Sequence, residues 1–278
     1  MSAPQPLLQV ERVGVRYRLG GTSWPSPART LDALSEVSVE VPDGGRLGIV
    51  GESGSGKSTL ARVVLGLVRA HAGRVLWRGA AVDYADRTQL RALRRELQIV
   101  FQDPFGSLDP RMTAGEAVGE ALHALVAEPM SRVEAGRRIS SALEEVGLAQ
   151  ELADRYPHEL SGGQCQRVAI ARATISRPRL LVCDEAVSAL DVSVQAQVVN
   201  LLRDLSERHR MALLFISHNL AVVRHLCDDI AVLCQGRLVE RGGIEQIFGS
   251  PREPYTQALL AAVPEPVVRR KGAGSPNP

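Results

Sequence analysis

The 278-residue sequence predicts an α/β fold built on a parallel β-sheet, with a group of helices inserted into it. Short apolar runs at residues 47–50, 180–183 and 213–216 indicate buried strands, and a helix pattern follows each of the first two. A strand, a helix and a second strand in that order imply a right-handed crossover between parallel strands. Residues 103–174 show helical patterns and no clear strand, so we expect them to form an insertion in the α/β core.

The N-terminal part of the chain predicts strands separated by a loop and a turn. Residues 8–17 and 37–41 alternate between apolar and polar positions, as half-buried strands do. Residues 20–29 are rich in Gly, Ser and Pro and are expected to form a loop. A turn signal at residues 42–45 then precedes the buried strand at residues 47–50.

The next elements are predicted as a helix, a strand pair and a second helix. Apolar residues at helical spacing indicate a helix over residues 60–68, with Gly73 as its C-terminal cap. A strand pair is expected around residues 75–77, and a charged helix near residues 88–96.

The insertion and the end of the core follow. Candidate helices of the insertion lie at residues 114–126, 132–146 and 164–175. A helix with one apolar face covers residues 194–205. A hairpin at residues 230–240, which turns on Gln235-Gly236, is expected to complete the core.

Composition excludes several classes of protein. With 33 basic and 31 acidic residues, the chain lacks the basic excess of a dedicated nucleic-acid-binding protein. It has no apolar run of the roughly eighteen residues that span a bilayer, and its N-terminus does not resemble a signal peptide. These features predict a cytosolic protein that reaches a membrane only through partners. Its four cysteines have no metal-ligand spacing and are expected to be small buried side chains.

Residues 51–58, Gly-Glu-Ser-Gly-Ser-Gly-Lys-Ser, match the phosphate-loop pattern G-x-x-x-x-G-K-[ST] without a mismatch. A buried strand precedes them and an amphipathic helix follows, which is the context that a phosphate loop requires. Glycines allow backbone N–H groups to turn toward a phosphate, and a helix N-terminus favours negative charge. We expect Lys57 to reach the β- and γ-phosphates of a nucleotide and the Ser58 hydroxyl to bind Mg²⁺.

Two carboxylates, Asp184 and Glu185, end an apolar strand. Ligands of open parallel sheets bind at the carboxyl ends of strands, so these residues are expected to face the phosphate loop. Asp184 would hold Mg²⁺ through water, and Glu185 would orient or deprotonate the attacking water as a general base. His218 follows the next strand, where it could donate to the γ-phosphate or to Glu185, and Gln102 could complete the shell of Mg²⁺ and water.

A second glycine motif, Leu160-Ser161-Gly162-Gly163-Gln164, lies between the phosphate loop and the acidic pair. Ordinary kinases and GTPases have no use for a glycine motif at this position. The motif resembles a second phosphate-binding site, one that could contact a nucleotide bound to another subunit.

Together these residues resemble the family of ATP-binding cassette (ABC) ATPases over about residues 8–245. Six motifs occur in the family's order. They are the phosphate loop with Lys57 and Ser58, the Q-loop with Gln102, the signature motif at residues 160–164, the Walker B pair Asp184 and Glu185, the D-loop Ser188-Ala189-Leu190-Asp191, and the switch histidine His218.

The resemblance implies a P-loop NTPase of ABC ATPase architecture, with a RecA-like core, an antiparallel β subdomain and an α-helical subdomain. The ATPase domain would cover residues 1–248, with the helical subdomain at about residues 103–174. A short C-terminal extension with a disordered tail would cover residues 249–278.

The resemblance also implies ATP and Mg²⁺ as cofactors. Tyr17 is the aromatic residue expected to stack on adenine. The alternative interpretation is that Tyr17 is an ordinary strand residue with no role in nucleotide binding. The residues expected to bind ATP are Tyr17, Gly51, Glu52, Ser53, Gly54, Ser55, Gly56, Lys57, Ser58 and Thr59; those expected to bind Mg²⁺ are Ser58, Gln102 and Asp184; those expected to be catalytic are Glu185, His218 and Gln102.

In this family two cassettes pair head to tail, so Ser161 and Gly163 of one chain would contact the γ-phosphate of ATP held by its partner. The implied partners are a second ABC ATPase subunit, identical or homologous, two membrane permease subunits and, indirectly, an extracytoplasmic substrate-binding protein. The protein would lie at the cytoplasmic face of the inner membrane as a peripheral subunit. Phe101 and Phe105 are candidates for its contact with the permeases.

The finer resemblance is to the ATPases of oligopeptide, dipeptide and nickel importers. Residues 102–112, 155–167 and 188–197 are similar to that branch, as is Pro-Tyr-Thr-Gln-Ala-Leu-Leu at residues 254–260. The resemblance implies that ATP hydrolysis drives uptake of oligopeptides or dipeptides, with nickel or a metal chelate as the alternative cargo. A soluble ABC protein of translation or DNA repair is less favoured, because the chain has neither a second cassette nor a long coiled-coil insertion.

Overall fold

The structure, a computed structural model, describes residues 5–19, 29–126 and 128–262. Residues 20–28 of the loop predicted at residues 20–29 lie outside these ranges, as do residues 263–278 of the predicted C-terminal extension with its disordered tail. Within them the strands are β1 (Leu8–Leu19), β2 (Arg29–Val41), β3 (Arg46–Val50), β4 (Ala72–Trp77), β5 (Ala80–Ala81), β6 (Leu97–Val100), β7 (Leu180–Asp184), β8 (Ala212–Ile216), β9 (Asp229–Cys234) and β10 (Arg237–Gly243).

Helices connect these strands and fill the insertion. They are α1 (Lys57–Val64), α2 (Arg87–Glu96), α3 (Pro104–Ser107), α4 (Ala114–Leu125), α5 (Arg132–Glu145), α6 (Gly162–Thr174), α7 (Val192–His209), α8 (Leu220–Leu226), α9 (Ile244–Gly249) and α10 (Pro254–Ala261). Two 3₁₀ turns, Gln150–Leu152 and Pro157–Glu159, precede α6.

The larger sheet has six strands in the order β10-β9-β3-β8-β7-β6. All of its neighbouring pairs are parallel except β9–β10, which forms a hairpin through Gln235 and Gly236, both at positive φ. This arrangement confirms the predicted α/β fold. Its consequence is that the carboxyl ends of β3, β8, β7 and β6 lie side by side at one edge.

The smaller sheet is antiparallel, with the order β2-β1-β4-β5. Side chains that alternate along the strands of the larger sheet divide the apolar interior into two cores. On β7, Leu180 and Val182 pack with α1 and the smaller sheet, whereas Leu181 and Cys183 pack with the helices of the opposite face. The larger sheet is therefore covered on both faces, as parallel sheets require.

Between β6 and β7 the described residues form helices and 3₁₀ turns only. Observed α4, α5 and α6 agree with the three predicted helices to within two residues at each end. A capping box starts α4, in which the Thr113 hydroxyl accepts the Glu116 N–H and the Glu116 carboxylate accepts the Thr113 N–H. Helix α4 packs against both α5 and α6.

The prediction that Gly73 caps the first helix was wrong. Helix α1 already ends at Val64, and Gly66, at φ +68°, follows its last turn. Gly73 lies inside β4 at φ +78°, where a Cβ atom would collide with the Arg12 carbonyl oxygen of the neighbouring strand. The apolar spacing that continues to Leu67 misled the prediction, because Leu67 is a surface residue with 55% exposure.

Candidate nucleotide-binding site

One open cavity of about 720 Å³ lies at the carboxyl-end edge of the larger sheet. Strand β3 leads into the phosphate loop, β8 into His218, β7 into Glu185 and β6 into Gln102. Predicted site residues that line the cavity are Tyr17, Ser53, Gly54, Gly56, Lys57, Ser58, Thr59, Gln102 and Glu185. Gly51, Glu52 and Ser55 belong to the same loop but are not part of the lining.

The glycines of the phosphate loop occupy backbone conformations that other residues rarely adopt. Gly51, Gly54 and Gly56 have φ values of +148°, +79° and +104°. A Cβ atom on Gly56 would lie 2.6 Å from the Ala33 carbonyl oxygen, whereas one on Gly54 would meet nothing within 4 Å. The loop is therefore packed tightly at its end and open at its middle, where a phosphate can approach.

Lys57 is buried beneath this loop, with 4% exposure. Its Nζ donates hydrogen bonds to the carbonyl oxygens of Gly51, at 2.8 Å, and Glu52, at 2.7 Å. Burial lowers the pKa of Lys57, and the carboxylates of Glu185 and Asp184 oppose that shift. An ammonium group has three donors, so one remains for a ligand in the cavity.

Ser58 and Asp184 form the candidate Mg²⁺ site. The Ser58 hydroxyl donates to Asp184 Oδ1 at 2.9 Å, although the two residues are 126 positions apart. Burial raises the pKa of Asp184, the Ser58 hydrogen bond lowers it, and the nearby Glu185 raises it further. A half-buried carboxylate beside a hydroxyl is an oxygen donor set that suits Mg²⁺, so the residues present fit the ion.

Glu185 and His218 meet because β7 and β8 are parallel neighbours, with Asp184 opposite Ile216. His218 Nδ1 lies 3.5 Å from Glu185 Oε1, at the outer limit of a hydrogen bond. The Glu185 side chain is 20% exposed and that of His218 is 59% exposed. The structure thus brings the His218 imidazole close to Glu185, which lines the cavity, although His218 itself is not part of the lining.

Phe101 and Phe105 flank Gln102 in the sequence. Between Gln102 and Phe105, Asp103 caps the N-terminus of the short helix α3. Both phenylalanines are exposed on the surface, at 40% and 48%. The candidate contact surface for a partner therefore adjoins the cavity through Gln102.

Tyr17, on β1, also lines the cavity. The antiparallel pairing of β1 with β2 places Leu31 opposite Tyr17. Leu31, Asp32, Ala33 and Gln235 also line the cavity, and sequence reasoning missed all four. Leu31 is 52% exposed to solvent, although its side chain is apolar and its strand partner is Tyr17. The signal that could have found it is the β1–β2 register, which the sequence alone does not fix.

The signature motif starts helix α6 and does not line this cavity. Ser161 is the N-cap residue: its hydroxyl accepts the Gln164 N–H at 3.2 Å, and the Gln164 side chain accepts the Ser161 N–H at 2.9 Å. A Cβ atom on Gly163 would lie 2.6 Å from a methyl carbon of Val194 on α7. Gly163 therefore has a packing role that the sequence did not reveal.

Asp191, the predicted D-loop residue, caps helix α7. Its carboxylate accepts hydrogen bonds from the Ser193 hydroxyl at 2.7 Å and the Val194 N–H at 3.0 Å, and these lower the pKa of Asp191. Val192, the next residue, is 83% exposed. Asp191 does not line the cavity of its own chain.

No helix in the part of the chain that the structure describes is long and apolar enough to cross a membrane.

Sequence comparison identifies close relatives over almost the whole chain. The oligopeptide transport ATP-binding protein OppF of Escherichia coli (strain K12) is 47% identical over 262 residues, which cover 94% of this chain and 78% of OppF. A putative peptide import ATP-binding protein of Brucella ovis is 46% identical and covers 94% of this chain and 80% of its own length.

Solved structures show the same fold. The ATP-binding cassette MJ0796, in a dimeric post-hydrolysis state bound to ADP and Pi, superposes with a TM-score of 0.76 at 29% identity, covering 85% of this chain and 98% of that one. The cassette cbiO1 of Clostridium perfringens, part of an ABC transporter complex, has a TM-score of 0.76 at 26% identity, covering 88% and 92%. The family model for ABC transporters matches residues 34–188, which include the phosphate loop, the signature motif and the acidic pair. The chain therefore belongs to the ABC transporter family.

Proposed function

We propose that this chain is the ATP-binding and ATP-hydrolysing subunit of an importer that takes up oligopeptides or dipeptides. The observation that supports it most is the identity, over nearly the whole chain, to oligopeptide transport ATP-binding proteins. The cavity at the strand ends supplies the chemistry that such a subunit requires.

The residues of the candidate site have distinct roles in this proposal. The backbone N–H groups of the phosphate loop and the Lys57 ammonium bind the phosphates. Tyr17 and Leu31 form an aromatic and apolar surface for the adenine ring. Bound Mg²⁺ would neutralise part of the phosphate charge, and Ser58, Asp184 and Gln102 are the residues that would hold it.

Glu185 is the proposed general base. Its carboxylate lines the cavity and takes a proton from the attacking water, while His218 beside it keeps the carboxylate oriented. Lys57 stabilises negative charge as it develops on the phosphoryl oxygens.

The nickel alternative is not favoured, because the relatives described above are peptide importers. A soluble ABC protein of translation or DNA repair is not favoured for the same reason. We propose that two cassettes pair head to tail; the dimeric state of the solved cassette MJ0796 supports pairing. Two permease subunits would hold the chain at the cytoplasmic face of the inner membrane, with a substrate-binding protein outside.

The proposal is tested on the assembled transporter in proteoliposomes. We expect ATP hydrolysis to increase when the binding protein is loaded with oligopeptides and to stay at its basal rate when nickel is added instead. Glu185→Gln should bind ATP with unchanged Kd and hydrolyse it about 10²- to 10⁴-fold more slowly, the range for loss of a general base.

Two results would contradict this proposal. Stimulation by nickel and not by peptides would assign the chain to the alternative cargo. Hydrolysis by the Glu185→Gln protein at the wild-type rate would remove Glu185 as the base, whatever the cargo.

A further inference from the structure

Helix α10 contacts the phosphate loop although it lies outside the catalytic core. The Tyr255 hydroxyl oxygen accepts a hydrogen bond from the backbone N–H of Glu52, with 3.1 Å between the two atoms. Tyr255 belongs to the sequence at residues 254–260 that resembles peptide and nickel importers. The chemistry of the cavity gives this helix no role.

The contact restrains one peptide group of the loop from both sides. The C=O of Gly51 and the N–H of Glu52 belong to the same planar peptide group. The carbonyl oxygen accepts the Lys57 ammonium at 2.8 Å, and the N–H donates to Tyr255. Rotation of this group would weaken both hydrogen bonds, so one of the two carbonyl oxygens that hold the Lys57 ammonium depends on the Tyr255 hydroxyl.

The rest of the loop is held differently. The N–H of Gly236, in the β9–β10 turn, donates to the Ser55 carbonyl oxygen at 2.9 Å and so restrains the second half of the loop. Glu52, Ser53 and Gly54 form the exposed first half. Among the described residues, Tyr255 is the one from outside the loop that forms a hydrogen bond with this first half.

Helix α10 is itself attached firmly to the core. Glu240 on β10 is 8% exposed, and its two carboxylate oxygens accept the backbone N–H groups of Arg252, at 2.8 Å, and Glu253, at 3.2 Å. A carboxylate at the N-terminus of a helix satisfies free N–H groups and matches the helix dipole. Tyr255, Leu259 and Leu260 pack against the apolar core. The hydroxyl of Tyr255 is thus presented to the loop by a fixed support.

We propose that Tyr255 is a positioning residue for the phosphate loop: α10, held by Glu240, fixes the Gly51–Glu52 peptide group and with it the Lys57 ammonium that binds ATP. The inference rests on the proposed ATP-binding function. It assigns to the C-terminal extension a direct influence on nucleotide affinity.

The test is Tyr255→Phe, which removes only the hydroxyl. We expect Kd and KM for ATP to rise about three- to tenfold, the effect of one neutral hydrogen bond, with kcat within about twofold of wild type. Amide hydrogen exchange at residues 51–54 should become faster while the melting temperature changes little. Glu240→Gln should act in the same direction, because it weakens the attachment of α10 without changing Tyr255 or the loop.

Tyr84→Phe is the matched control. The Tyr84 hydroxyl donates to the Val64 carbonyl oxygen at 3.0 Å, at the end of α1 remote from the loop. This variant should lose stability and keep the wild-type Kd for ATP. If Tyr255→Phe also lowered only the melting temperature, or if both variants changed Kd equally, the positioning role would be refuted.

Lys57→Ala separates the inference from the function beneath it. Loss of ATP binding in that variant supports the phosphate loop as the nucleotide site, independently of Tyr255. Wild-type ATP binding by Lys57→Ala would instead overturn the proposed site, whatever Tyr255→Phe does.

Discussion

Glu185 has a backbone conformation that is unusual for its residue type. Its φ is +51°, in the left-handed region, which costs a non-glycine residue about 1–3 kcal/mol. Its N–H donates to the Ile216 carbonyl oxygen at 3.0 Å, and its own carbonyl oxygen accepts the Ser188 N–H and hydroxyl, each at 3.0 Å. These bonds maintain the strained backbone and allow Asp184 and Glu185, adjacent in sequence, to serve the same site.

Asp184 should make the stability of the metal-free protein depend on pH. Its folded-state pKa is raised, chiefly by burial, so without Mg²⁺ the folded protein binds this proton more tightly than the unfolded chain does. Stability is therefore lost as pH rises toward and through the raised pKa. Asp184→Asn removes this cost and retains an acceptor for the Ser58 hydroxyl.

We expect the metal-free Asp184→Asn protein to melt at a higher temperature than wild type at pH 7, and the difference to shrink as pH falls below the raised pKa. Thermal unfolding in EDTA across pH measures both. Hydrolysis with Mg²⁺ should nevertheless fall by about 10- to 100-fold, since the carboxylate that would hold Mg²⁺ through water is lost. A lower melting temperature than wild type at pH 7 would contradict the role of burial.

At the scale of elements, the position of α6 depends on its packing against α7 as well as on its N-terminal cap, Ser161. Gly163 has no room for a Cβ atom because Val194 fills the space. The family resemblance implies a second role for Gly163, contact with a partner's phosphate, which stays a prediction. The two roles require different properties of the residue: small size toward Val194 and an accessible backbone toward the phosphate.

A pair of variants distinguishes these roles. Gly163→Ala should lower the free energy of unfolding by about 1–3 kcal/mol, the usual cost of overpacking. Adding Val194→Ala should restore most of that loss, which denaturant unfolding measures. If Gly163 serves packing alone, hydrolysis by the assembled transporter should return with stability; if the backbone must also approach a phosphate, hydrolysis should remain low. We expect the second outcome.

At the scale of the whole molecule, the two glycine motifs that we propose to bind phosphate lie apart on a single chain. The cavity contains Lys57 and Glu185, whereas Ser161 begins α6 away from the cavity lining. A head-to-tail pair would bring the signature of one chain to the cavity of the other. The exposed Val192, beside Asp191, would then be covered by the partner.

Ser161→Asp tests this arrangement. Asp caps helices as well as Ser does, so the fold should be retained, but its charge would repel a γ-phosphate. The isolated chain should bind ATP with wild-type Kd, while hydrolysis by the assembled transporter should fall at least about tenfold. Ser161→Asn, a neutral cap, is the matched control and should lose less activity. Weaker ATP binding by the isolated Ser161→Asp chain would place the signature in its own chain's site.

Local sequence determined much of this protein. The phosphate loop, the acidic pair and the signature motif follow from residue types at fixed spacing, because each depends on a turn or a helix N-terminus within a few residues. Apolar periodicity likewise indicated the insertion helices, since a helical face repeats locally. The convergence of Glu185 and His218 on one edge was expected from parallel strands, and the strand order supports it. Strand β6, which brings Gln102 to the same edge, was not predicted.

Only the tertiary structure decided the rest. The β1–β2 register placed Leu31 opposite Tyr17, α7 packing gave Gly163 its steric role, and β4 pairing explained Gly73. The contact of Tyr255 with Glu52 joins residues 203 positions apart. Such contacts depend on how whole elements pack, and packing selects among many partners that the local pattern leaves equivalent.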